Sequence, residues 1–142
     1  MPAIRSDYLK HLVDVARLPE TVTKLVKLIK DSEVEFDAIA FRGMSGALIA
    51  PIIAMKLKKN MLMVRKDDGN HFGSNLEGVE SSERYIIIDD LICSGNTLRI
   101  IREEVTKRIA TAQCVGVFLS RESWSNKHKF ADDFTVPLWS VK

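Results

Sequence analysis

"YIIIDDLICSGNTL", residues 85–98, is the stretch on which the fold turns. Four apolar residues, Tyr85 to Ile88, run straight into Asp89 and Asp90, and Gly95 and Thr97 then punctuate the start of a helix. An apolar run of this length ending at turn residues reads as a strand buried on both faces. Adjacent carboxylates repel, so a chain keeps them where water, a cation or a polyol satisfies them. The following "CSGNT" (93–97) offers backbone N–H groups, small side chains and two hydroxyls at a helix start, where the helix dipole favours an anion. Gly95 permits close backbone approach, and Ser94 and Thr97 can donate to phosphate oxygens. The acids would repel a phosphate but accept hydrogen bonds from vicinal hydroxyls, so a sugar phosphate fits both halves. A plain strand–turn–helix with solvated acids explains a lone acid pair. The complete string points to a ligand.

Working outward, "FDAIAF" (36–41), "MLMVR" (61–65) and "AQCVGVFLS" (112–120) repeat the apolar strand pattern. Residues 5–31 read as two short helices broken near "LPE", with Leu9, Leu12, Val13 and Ala16 on one face and Val22, Leu25, Val26 and Ile29 on another. "RGMS" (42–45) reads as a turn, followed by a helix over 46–59 that is apolar nearly all round and therefore buried. Pro51 is expected in the opening turns of that helix. Residues 66–84 form a long polar stretch with three glycines, a length usual for a functional or disordered loop. A helix is expected over 96–109 with Leu98, Ile101, Val105 and Ile109 inward, and a short edge strand over 134–141, where Pro137 is tolerated.

Strands alternating with buried helices predict an α/β fold: a central, mainly parallel sheet flanked by helices, in one domain over residues 1–142. Within it, 1–34 supply N-terminal helices, 36–120 the core, and 121–142 a C-terminal edge segment. Ligands of such sheets bind beyond the carboxyl ends of the strands. Those ends are 42–45, 66–84, 89–97 and 120–130, and the polar residues and glycines concentrate there.

Composition excludes several classes. The chain has 142 residues, 46% of them hydrophobic and 28% charged, with a formal net charge of +2. This argues against disorder and against a general nucleic-acid binder. No apolar run approaches the roughly 20 residues needed to cross a bilayer. The opening "MPAIRSDYLK" lacks a signal-peptide core, and Cys93 and Cys114 match neither a metal spacing nor a disulfide framework. A soluble cytoplasmic protein is expected, with no nucleic-acid or membrane partner. No Gly-x4-Gly-Lys-Ser/Thr occurs, which removes a P-loop nucleotidase. Cys93 has no basic neighbour in sequence to mark it as a nucleophile.

Residues 86–98 resemble the phosphoribosyl pyrophosphate (PRPP) signature of type I phosphoribosyltransferases: an apolar strand, two acids, a variable stretch, then Thr/Ser-Gly-x-Thr. The resemblance continues through "FDAIAFRGMSGALIAPIIAMKLKKNMLMVRK", which is similar to the first strand, pyrophosphate loop and following helix of adenine and orotate phosphoribosyltransferases. It implies that Asp89 and Asp90 hold the ribose 2′- and 3′-hydroxyls, that Cys93, Ser94, Gly95, Asn96 and Thr97 wrap the 5-phosphate, and that Arg42 and Gly43 bind pyrophosphate. It also implies a pentosyltransferase (a glycosyltransferase of nucleotide salvage) moving phosphoribose from PRPP to a nucleobase, purine more than orotate. Mg²⁺ would bridge pyrophosphate and ribose, with Asp89 and Asp90 its indirect ligands. A homodimer is implied by analogy.

The 66–84 stretch occupies the place of the family's catalytic loop. "RKDDGNHFG" resembles the orotate enzymes' Arg-Lys-x-x-Lys-x-His-Gly but lacks the central lysine, which leaves Lys66 and His71 as catalytic candidates, or as ordinary solvated charges. In this family a hood of terminal segments and the residues after the fourth strand hold the base. Arg121, Trp124 and Trp139 are the candidates there, with Phe134 a further stacking face; hood packing or a dimer contact explains the aromatics equally well. The incomplete loop and short hood also admit a regulatory protein that senses PRPP or a nucleotide without transfer.

Overall fold

Alternate residues of the first strand, Ile39 and Phe41 against Ala38 and Ala40, are buried on opposite sides. That is what a central strand covered by helices on both faces requires. The computed structural model describes residues 9–66, 75–92, 94–133 and 135–142. The elements run α1 (Lys10–Val13), α2 (Leu18–Ser32), β1 (Ala38–Arg42), α3 (Gly43–Leu57), β2 (Asn60–Val64), β3 (Leu76–Gly78), β4 (Arg84–Asp89), α4 (Asn96–Arg108), β5 (Gln113–Leu119), α5 (Trp124–Asp133) and β6 (Leu138–Ser140).

The sheet order is β3-β2-β1-β4-β5-β6. All pairings are parallel except β2 with β3, and a register shift at Tyr85/Ile86 marks the β4–β5 pair. From β1 the chain crosses through α3 to β2, on one side; from β4 it crosses through α4 to β5, on the other. The switch point therefore lies between β1 and β4, whose carboxyl ends are Arg42 and Asp89.

One face of the sheet packs Ala38, Ala40, Ile87 and Val117 on Leu98, Ile101 and Val105 of α4. The other packs Ile39, Phe41, Ile86 and Phe118 on Leu25 and Ile29 of α2 and Ile49 and Ile53 of α3. Each buried valine, leucine, isoleucine or phenylalanine among them is worth about 1.5–3 kcal/mol. Gly46 lets α3 approach β1, since a Cβ there would lie 2.6 Å from the Cβ of Phe41.

Several expectations are corrected. The break between the first two helices falls at 14–17, and "LPE" opens α2 because proline suits a helix start. Val13 and Ala16 are exposed, since α1 ends at Val13. The turn at 42–45 does not form: α3 begins directly after Arg42, so Pro51 sits in its interior. The carbonyl of Ala47, which Pro51 cannot satisfy, is on an exposed residue open to water. The helix is buried on one side only, with Met44 and Met55 65% and 81% exposed. Strand β3 lies inside the stretch read as loop, and α5 occupies the polar segment after β5. The edge strand is shorter than expected, with Pro137 just before it accepting from the N–H of Val117.

Candidate functional site

The order of strands lines up charge before any side chain is considered. Lys66 follows β2, Arg42 ends β1 and Asp89 ends β4, and these strands are neighbours about 4.8 Å apart. A cavity of about 510 Å³ opens above them. Arg42, Gly43, Lys66, Asp89, Asp90, Ser94, Gly95 and Thr97 all line it, with Leu9, Met44 and Ile92 among its apolar walls. Its volume is ordinary for a small-molecule site.

Two glycines shape the rim. Gly43 and Gly95 both have φ +81°, a left-handed conformation that strains any residue with a Cβ. Gly43 turns β1 into α3 with no intervening loop, and a Cβ built on it would be 3.7 Å from Cε of Lys66, so that lysine lies over the turn. Arg42 is extended, and its buried Nε has no hydrogen-bond partner among the described residues. A buried guanidinium N–H left unsatisfied is costly, and an oxyanion is its natural complement. Gly95 precedes α4 as its N-cap and has no side chain to cap it. The Ser94 hydroxyl instead accepts from the N–H of Asn96.

The two aspartates are not equivalent. Asp89 is 7% exposed; its Oδ1 accepts from Ser45 Oγ at 2.7 Å and from the Asp90 N–H at 2.9 Å. Burial pushes its carboxyl from the ordinary 3.8 up to about 7, opposed by the Ser45 hydrogen bond and reinforced by the neighbouring Asp90. Asp90 is half-buried, and its Oδ1 accepts from the N–H of Leu91 at 2.8 Å. The sequence reading missed Ser45; its signal was only a hydroxyl in the first turn of an otherwise apolar helix.

Other expected residues lie elsewhere. His71, Cys93 and Phe134 fall outside the described residues. The Asn96 side chain does not face the cavity but accepts from Arg99, one turn along. None of the three base candidates lines the main cavity. Trp124 is 75% exposed and its ring lies over that of His128, 4.1 Å between centroids. Trp139 stacks on Phe118 at 4.7 Å and 9°, because the β5–β6 register sets them side by side. Arg121 lines a second cavity of about 220 Å³, where β5 and β6 end, with His11, Ser120 and Val141. His11 Nε2 is 2.8 Å from Ser120 Oγ, a buried pair 109 residues apart that no local pattern reveals. Among the described residues, no three His, Cys, Asp or Glu side chains converge as a metal cage, and no helix is long and apolar enough to cross a membrane.

No family model matches the chain. In sequence it is 25% identical over 118 residues to an orotate phosphoribosyltransferase of Pyrococcus furiosus, covering 77% of this chain and 64% of that protein. It is 26% identical over 113 residues to the transcriptional regulator GfcR of Methanocaldococcus jannaschii, covering 74% and 53%. The chain thus spans just under two thirds of the first relative's length and about half of the second's. In structure it is similar to the adenine phosphoribosyltransferase of Saccharomyces cerevisiae, solved with an imino-altritol bisphosphate and adenine. There the TM-score is 0.73 at 19% identity, covering 97% of this chain and 86% of the other. The six-stranded, mostly parallel sheet is the type I phosphoribosyltransferase fold, and in sequence the chain is similar to orotate and adenine phosphoribosyltransferases.

Proposed function

We propose that the chain transfers the 5-phosphoribosyl group of PRPP to a ring nitrogen of a nucleobase, purine or orotate. The observation that carries this is the joining of an unpartnered buried arginine N–H, an acid pair and a glycine-led helix start in one cavity. The base nitrogen bonds to C1 while the bond from C1 to pyrophosphate breaks; pyrophosphate leaves with the electron pair, and the base gives up a proton. Asp89 and Asp90 accept hydrogen bonds from the ribose hydroxyls. Ser94, Thr97 and the backbone around Gly95 hold the 5-phosphate. Arg42 and Lys66 take the charge that grows on pyrophosphate, an electrostatic contribution stronger in a dry site than in water.

Two hard carboxylates fit Mg²⁺, which typically takes one or two of them and completes its shell with phosphate oxygens and water. When bound, the ion neutralises leaving-group charge. The exposed Met44 and Met55 on α3 suit the contact of a homodimer.

A second reading, a PRPP-sensing regulator without turnover, is supported by the similarity to GfcR. One assay separates the two. Incubation with PRPP, Mg²⁺ and a panel of orotate, adenine, guanine, hypoxanthine and xanthine should release pyrophosphate with one of them. PRPP binding with no release for any base would overturn the enzyme reading in favour of the regulator.

A further inference from the structure

Ile92 is the last described residue before the phosphate turn, and α5 holds both of its main-chain groups. Its N–H donates to Oδ1 of Asn126 at 2.9 Å, and its carbonyl accepts from the Ser125 hydroxyl. Asn126 is 1% exposed, and its Nδ2 donates to the carbonyl of Arg121 at 2.9 Å. The segment just before α5 continues the pattern: Ser120 N–H donates to the carbonyl of Asp89 and Arg121 N–H to that of Asp90, each at 2.9 Å. The β4–β5 ladder ends at Asp89 opposite Leu119; main-chain bonds from Ser120 and Arg121 carry it on to Asp90, and side chains take over at Ile92.

Asparagine suits this place for a stoichiometric reason. It offers one acceptor to a backbone N–H and one donor to a backbone C=O, and the two partners fix which way the amide points. An apolar residue would leave both groups buried and unpaired.

We propose that Asn126, supported by Ser125, is a positioning residue that fixes the entry of the 5-phosphate turn and so sets affinity for the phosphoribosyl half of the ligand; this rests on the PRPP reading above. The pyrophosphate half, built at Arg42–Ser45 on another strand, receives no hydrogen bond from this clamp.

The test compares the wild type with Asn126→Ala, Ser125→Ala and Ser125→Thr. Ribose 5-phosphate and inorganic pyrophosphate are titrated separately by calorimetry, and hydrogen exchange is read at the Ile92 amide. Asn126→Ala should weaken ribose 5-phosphate about tenfold, the cost of roughly one net hydrogen bond, at unchanged stoichiometry. Pyrophosphate affinity should stay within about twofold. Ser125→Ala should show a smaller loss that Ser125→Thr recovers, and it carries the test should Asn126→Ala not fold. Unchanged ribose 5-phosphate affinity, a fall in stoichiometry alone, or equal losses for both ligands would overturn the proposal. A wild type that binds neither ribose 5-phosphate nor PRPP would sink the functional reading instead. The clamp would then stand or fall on Ile92, whose exchange should quicken in Asn126→Ala and would refute it if unchanged.

Discussion

The two turns that meet at the switch point use the same device to different ends. Each leaves a buried strand, passes through a glycine at φ +81° and enters a helix. At Arg42–Ser45 there is no loop between strand and helix, and the turn presents a guanidinium whose Nε is unpartnered. At Asp89–Thr97 several residues intervene, and the turn presents two carboxylates before a glycine-led helix start. A cation beside an acid pair cannot be one anion site. The contrast shows how a single cavity holds a charged leaving group on one strand and a polyol with its phosphate on the next, with Ser45 reaching across to Asp89.

Breaking each turn separately is the way to test that division. The largest effect belongs to Asp89→Asn combined with Asp90→Asn, which should weaken PRPP at least about a hundredfold, given roughly 1.5–3 kcal/mol for each hydrogen bond to a charged group. The circular dichroism spectrum should remain that of the native fold; unchanged affinity would refute the ribose assignment. Arg42→Ala should cost pyrophosphate and PRPP about ten- to a hundredfold, through one lost charge-assisted contact, and leave ribose 5-phosphate unaffected. Gly46→Ala tests the helix that carries the first turn. Its Cβ would press on Phe41, and urea unfolding should show a loss of about 1–3 kcal/mol.

A further test is electrostatic and concerns Asp89. Its carboxyl titrates near 3.8 when unfolded and about 7 when folded, so the folded state favours the protonated form. That contribution is complete below about 4 and fades as pH rises through 7. Between those values the unliganded protein should lose stability with rising pH, and Asp89→Asn should flatten the slope in thermal unfolding measured across the range. A slope unchanged by the substitution would show that Asp89 does not titrate there.

Legibility followed how local the cause was. Strands such as "YIIID" and the glycine turn after it declare themselves because burial on both faces and left-handed backbone leave residue-type signatures within a few positions. Strand β3 has one buried residue, Leu76, and owes its existence to pairing with β2, so composition hides it. Segment α5 is polar enough to read as loop, and Ser125 and Asn126 there show their purpose only against Ile92, more than 30 residues away. Pro51 misled because a proline argues for a helix start, while tertiary packing extended α3 upstream to Gly43. The packing of Trp139 was hidden for the same reason: it is claimed by Phe118 across a strand pair that sequence does not display.

The central claim is that one cavity contains two independent anion sites. It is tested most directly by titrating ribose 5-phosphate into protein already saturated with pyrophosphate and Mg²⁺. The account predicts that both bind together, with ribose 5-phosphate affinity undiminished and one equivalent of each per chain. Competition, with each ligand displacing the other from a single site, would contradict it.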